Sequence, residues 1–179
     1  MKKRLFIGTF ADNSLFRDNY PNIKDKLNDK IVAKWVELNN LHFTYKFLGD
    51  VEEDMIPELG ANLKGILKRY NEPLMIKGIN SFPNVHKPRV IFAKFFSPKK
   101  FVFELNNEIA DIIERLGFEK EKTNFRPHIT LARVKKIKDN PFMTMKNFKD
   151  VEFGRMNHFE VNLIESTLTQ KGPIYKKIM

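Results

Sequence analysis

The sequence has no cysteine among its 179 residues, a single tryptophan and only four histidines. Without cysteine there can be no disulfide, no thiol nucleophile and no thiolate-ligated zinc. That agrees with a cytoplasmic protein. No stretch approaches the ~18 consecutive apolar residues of a membrane-spanning helix. The apolar run near the amino terminus, Leu5 to Phe10, is too short for the core of a secretory signal. No basic amphipathic helix stands out, so a membrane partner is not expected. Low-complexity tracts and linkers are also missing. Residues 1–179 are therefore expected to form one domain, or two small lobes sharing a core.

What is present suits a soluble globular chain. Hydrophobic residues make up 42% and charged residues 30%, and 17 phenylalanines can build a core. The formal net charge of +10 points to an anionic partner, nucleic acid before any other. The plainer alternative is a coat of solvated lysines.

Patterning predicts strands at Leu5 to Phe10, Val32 to Val36, Leu41 to Leu48, Leu74 to Phe82, Arg89 to Phe96 and Arg126 to Val134. A closing hairpin is predicted from Phe159 to Gln170 and Ile174 to Ile178, turning at Lys171-Gly172-Pro173. Helices are predicted at Leu15 to Lys30, Glu52 to Tyr70 and Lys99 to Leu116. In the last, Phe103, Ile109, Ile112, Ile113 and Leu116 share one face. A looser basic segment runs from Lys135 to Asp150. The order strand, helix, His-x-Thr strand occurs once in each half.

Two of the four histidines sit in that repeated frame: LHFTYKFLG at Leu41 to Gly49 and RPHITLAR at Arg126 to Arg133. Side chains alternate across a strand. Leu41, Phe43, Tyr45 and Phe47 should therefore face a core, and His42, Thr44 and Lys46 the opposite side. Likewise Ile129 and Leu131 point one way, and Arg126, His128 and Thr130 the other. Each strand offers an imidazole beside a hydroxyl on rigid backbone. Imidazole exchanges protons near neutral pH, and a threonine hydroxyl can donate to a phosphate oxygen. Two such pairs across a groove suit in-line displacement at phosphorus, with one histidine as base and the other as acid. Coincidence of common tripeptides and a two-histidine metal site are the competing readings. The second lacks a third ligand, since no Asp or Glu lies nearby on either histidine face. His86, in a proline-flanked loop, and His158 are read as non-catalytic. Lys135, Lys136 and Lys138 form a cluster suited either to an RNA backbone or to solvent.

The twinned frames, with RLFIGTF, KWVELNNLHFTYKFLGD, FPNVHKPRVIFA, FRPHITLARV and the closing VNLIESTLTQKGPIYKKI, resemble the two-histidine (2H) phosphoesterases. Within them the chain is similar to the RNA 2′,3′-cyclic phosphodiesterase branch, also called the 2′-5′ RNA ligase family. The resemblance spans nearly the whole chain. It implies an α+β, bilobal fold, in which two antiparallel sheets face a central groove with helices outside. It implies metal-independent hydrolysis of RNA 2′,3′-cyclic phosphate ends to 2′-phosphomonoesters, with no cofactor; a monomer is expected. His42 would be the proton donor and His128 the acceptor. Thr44 and Thr130 would bind the phosphate, and Arg133 would contact phosphate or substrate. By alternation Arg133 lies opposite His128, and it reaches the groove only if the strand ends, twists or bulges near Ala132. Arg126 and Lys46 are further candidate phosphate contacts. Joining of RNA by the reverse reaction, and a non-catalytic RNA-binding module, are the alternative functions.

Overall fold

A computed structural model describes the chain except Lys122 and Lys171; of Lys99 only the backbone is described. The elements in chain order are β1 (Lys2–Phe10), α1 (Asn19–Asn28), β2 (Ile31–Trp35), β3 (His42–Glu52), α2 (Ile56–Leu63), β4 (Arg69–Tyr70), β5 (Leu74–Phe82) and β6 (Val90–Phe96). They continue with α3 (Phe101–Arg115), β7 (Ile129–Ile137), α4 (Phe142–Asn147), β8 (Glu152–Met156), β9 (Phe159–Glu160), β10 (Asn162–Thr169) and β11 (Gly172–Lys177).

The longer strands form two antiparallel sheets. One has the order β11-β10-β1-β3 and the other β2-β7-β6-β5-β8. The two motif strands thus lie in different sheets: β3 at the edge of the first, β7 inside the second. Both sheets turn their apolar faces onto one continuous core that includes Ile7, Phe43, Ile91 and Leu131. Helix α3 packs Val102, Leu105, Ile109 and Ile113 into it. The architecture is α+β, as expected.

Several elements depart from expectation, each for a local reason. The helix predicted to run to Tyr70 ends at Leu63. Beyond it, Arg69 and Tyr70 pair with β9, and the Tyr70 ring stacks on Phe159 at 5.5 Å. On α3, Ile109 and Ile113 are buried as expected, but Val102 and Leu105 complete the buried face and Phe103 is 42% exposed. The segment taken as loose contains α4 and leads into the edge strand β8. The strand signal of β8 is broken by Gly154, whose φ of +135° suits glycine alone and whose Cβ would lie 2.9 Å from Leu15. The final hairpin forms as β10 and β11; Lys171, part of its predicted turn, lies outside the described residues.

Candidate active site

The local backbone of the two motifs is built to one plan. His42 begins β3, and its Nδ1 lies 2.6 Å from the carbonyl of Asn40. His128 immediately precedes β7, and its Nδ1 lies 2.7 Å from the carbonyl of Arg126. A carbonyl only accepts, so each Nδ1 must carry a hydrogen and donate it. That fixes the tautomer and leaves each Nε2 free to take or give a proton. Thr44 and Thr130 follow two residues on, half-buried, on the same face as their histidines.

Both strands then bulge at the same offset. In β3, Thr44 pairs with Gly8 but Lys46 pairs with Ile7, so Tyr45 is the extra residue. In β7, Thr130 pairs with Phe92 but Ala132 pairs with Ile91, so Leu131 is extra. One inserted residue reverses the alternation beyond it. Tyr45 and Lys46 are consequently both buried, as are Leu131 and Ala132. The fifth residue after each histidine swings to the histidine's own face: Phe47 in one sheet, Arg133 in the other.

This corrects two expectations and resolves a third. Lys46 does not share the His42 face. It is buried on the opposite side, where its ammonium donates to the Glu119 carbonyl at 2.6 Å and pairs with Glu121 at 3.3 Å. Phe47 does not join the core, and 60% of it is exposed on the groove face. Arg133 reaches the groove by the bulge. The bulge is held from outside: the single hydrogen of the Tyr20 hydroxyl is shared between the Val36 carbonyl at 2.5 Å and the Leu131 carbonyl at 3.0 Å, and the Val36 amide donates to the Leu131 carbonyl as well. Burial and the neighbouring Glu37 push the Tyr20 hydroxyl well above the ordinary phenol range, so it stays a donor.

The imidazoles rest on aromatic floors. His42 lies 5.0 Å from Phe6 and 4.8 Å from Tyr175. His128 lies 5.1 Å from Phe82 and 5.3 Å from Phe92, with the Arg126 guanidinium 5.9 Å above Phe82. None of these floor residues was singled out from sequence. For Phe6 a signal existed, because strict alternation sets it with Gly8, away from Leu5 and Ile7. Gly8 faces Thr44, and a Cβ there would approach the Phe43 carbonyl to 2.8 Å and the Phe6 ring to 2.9 Å. The surface beside the first motif is thereby kept low.

Both histidines are held below the ordinary imidazole range, first by burial. The carbonyl on each Nδ1 opposes this. Arg133 lowers both, and the charge of His128 also lowers His42, so the two motifs stand within electrostatic reach across the groove. The unliganded site therefore resists gathering positive charge. A phosphate anion would reverse that bias.

Among the described residues, no group of three or more His, Asp or Glu side chains stands together to hold a metal. His86 stacks on Phe142 at 4.4 Å. His158 is exposed on the β8–β9 turn, and Lys135, Lys136 and Lys138 are exposed at the end of β7. No helix of the described residues is long and apolar enough to cross a membrane.

Two pinned imidazoles and two hydroxyls, presented by strands of separate antiparallel sheets, define a two-histidine phosphoesterase. The sequence model of the LigT-like phosphoesterases matches residues 16–92 and 97–175, segments that contain one motif each. The chain belongs to this family. It is 36% identical over 176 residues to the RNA 2′,3′-cyclic phosphodiesterase of Aquifex aeolicus, covering 96% of this chain and 93% of that one. It is 35% identical over 180 residues to the Methanothermobacter thermautotrophicus protein of the same name, covering 98% and 96%. A crystal structure from Thermus thermophilus superposes with a TM-score of 0.78 at 26% identity, covering 98% of this chain and 95% of that one. Escherichia coli LigT, solved with 3′-AMP, shares the fold with a TM-score of 0.72 at 19% identity, covering 100% and 97%.

Proposed function

We propose that this protein hydrolyses the 2′,3′-cyclic phosphate end of RNA to a 2′-phosphomonoester, using its two histidines as acid and base. The observation behind this is the matched pair of free Nε2 atoms, each fixed by a backbone carbonyl two residues earlier. In the reaction a water oxygen attacks phosphorus as the bond to the 3′-oxygen breaks. His128 Nε2 takes the water's proton, and protonated His42 Nε2 gives one to the departing 3′-oxygen, following the family pattern. Thr44, Thr130 and Arg133 donate to the phosphoryl oxygens as charge builds on them. Each proton transfer contributes typically 10²–10⁴-fold. The names of the relatives support the substrate class. The exposed Phe47 ring offers a stacking face for the terminal base.

The test is incubation with 2′,3′-cyclic nucleotides and with oligonucleotides ending in the cyclic phosphate, the product phosphate being located on the ribose. A 2′-phosphate, formed in the presence of a chelator, is expected. A 3′-phosphate, or turnover lost to the chelator and restored by metal, would overturn the mechanism.

A further inference from the structure

Beside the motif of the first sheet lies a second concavity that the hydrolytic step does not use. It is a cleft of about 430 Å³ bounded by the end of β1, by β4, by the β8–β9 turn and by β11. Phe10 forms its near wall and is the direct cross-strand partner of His42. The Lys177 ammonium, on the same sheet face, lies 6.0 Å from the Phe10 ring. The cleft therefore adjoins the His42 side of the groove.

Its cations include two arginines brought into one concave surface. Among the described residues, the ion pairs are made by lysines and the terminal amine, never by an arginine. Arg69 and Arg155 enter the cleft exposed and without a carboxylate partner among those residues. Its two carboxylates are already engaged: Asp12 accepts from the Ser14 amide and hydroxyl, and Glu160 pairs with Lys177. Unpaired guanidinium groups in a concave site suit phosphate oxygens, which they can bind with two parallel hydrogen bonds.

We infer that this cleft holds the internal phosphodiester backbone of the RNA strand on the 5′ side of the reacting end. The inference rests on the cyclic phosphodiesterase reading. If His42 protonates the departing 3′-oxygen, the terminal ribose lies against the first sheet. The strand leaves through that ribose's 5′-oxygen, and the concave, arginine-lined surface beside His42 is the cleft of Phe10, Arg69 and Arg155. The enzyme is thereby a reader of strand ends with a preference for oligomers over mononucleotides.

The experiment compares kcat/KM for a 2′,3′-cyclic mononucleotide, the same nucleotide with an added 5′-phosphate, and a short oligonucleotide with a cyclic end. Wild type is expected to favour the oligonucleotide at least tenfold, with the advantage shrinking as salt rises. Arg69→Ala combined with Arg155→Ala should abolish that advantage and flatten its salt dependence, leaving mononucleotide turnover unchanged. Both side chains are exposed, and an unchanged thermal melt verifies the fold. An oligonucleotide advantage that survives the double substitution would overturn the inference, as would its absence in wild type. A 5′-phosphate that supplies the whole advantage would reduce the cleft to a single-phosphate site and overturn it as a strand track. Failure to turn over even the mononucleotide would instead count against the cyclic phosphodiesterase reading.

Discussion

The two motifs differ where the shared plan ends. Up to the bulge they are interchangeable: a histidine whose Nδ1 donates two residues back, a threonine two residues on, and an inserted residue after it. Immediately beyond, the first sheet delivers a bare aromatic ring, Phe47, and the second a guanidinium, Arg133. One half of the groove is thus fitted to hold a flat apolar group and the other to hold charge. On the proposed mechanism the two imidazoles are held alike, whereas the surfaces beside them differ.

The division is most severely tested by removing each shared element in turn. His42→Ala and His128→Ala should each lower turnover of a cyclic nucleotide by 10²–10⁴-fold while the thermal melt stays in place. A variant that keeps wild-type turnover would break the symmetry outright. The unshared elements should separate kinetically. Arg133→Ala is expected to reduce kcat by about 10²-fold, the order found when one donor to developing charge is lost. Phe47→Ala should act mainly on KM, raising it by the equivalent of about 1–3 kcal/mol of base stacking. If both variants affect the same parameter equally, the contrast between the two sheets fails.

The pH profile sharpens the comparison further. The base must be neutral, so activity falls as pH drops through its pKa. The acid must be protonated, so activity falls as pH rises through its own. Both imidazoles lie below their ordinary value of about 6.5 in the free protein, and they titrate as a pair. The kcat/KM profile should therefore be a bell with its maximum on the acid side of that value. Phosphate binding should move both titrations upward, which an NMR titration of the imidazole resonances with and without inorganic phosphate would read. Arg133→Ala should also raise both titrations, since the guanidinium is one cause of the depression.

The smallest effect is expected at Tyr20, a positioning residue in α1. Tyr20→Phe removes one hydrogen bond worth about 1 kcal/mol of stability, while Leu131 keeps the bond from Val36. Its loss should loosen the bulge that presents Arg133 and lower kcat severalfold. The same substitution in an Arg133→Ala background should then add nothing to the kinetic defect, although it still lowers the melting temperature.

His42, Thr44, His128 and Thr130 are legible in the sequence because a period of two is all that is needed to bring each pair to one face. The prediction fails just beyond the extra residue, at Lys46 and Phe47. No residue type announces a bulge, and Tyr45 and Leu131 look like ordinary alternating core residues. Only the register against β1 and β6 reveals them. Arg133 depended on the same irregularity and reaches the groove because of it. Strands β4 and β8 escaped prediction since each owes its existence to a partner distant in sequence, β9 and β5 respectively. The aromatic floors went unnoticed because composition shows many phenylalanines without showing which of them lie under a histidine.

The paired bulges have a further consequence, best put as a matter of reading frame. Each acts on its strand as a one-letter insertion acts on a message: the letters that follow it, up to the next irregularity, are read in the other frame. Ironing a bulge flat with all its letters kept would bring a lysine into the groove of the first sheet and withdraw the arginine from the second. Striking out the extra letter itself, Tyr45 or Leu131, would do the reverse of what its burial suggests. The core would lose a side chain, yet Phe47 and Arg133 would keep their places by plain alternation. The groove is therefore spelled by frame rather than by spacing. Four letters without a bulge and five letters with one carry the same message.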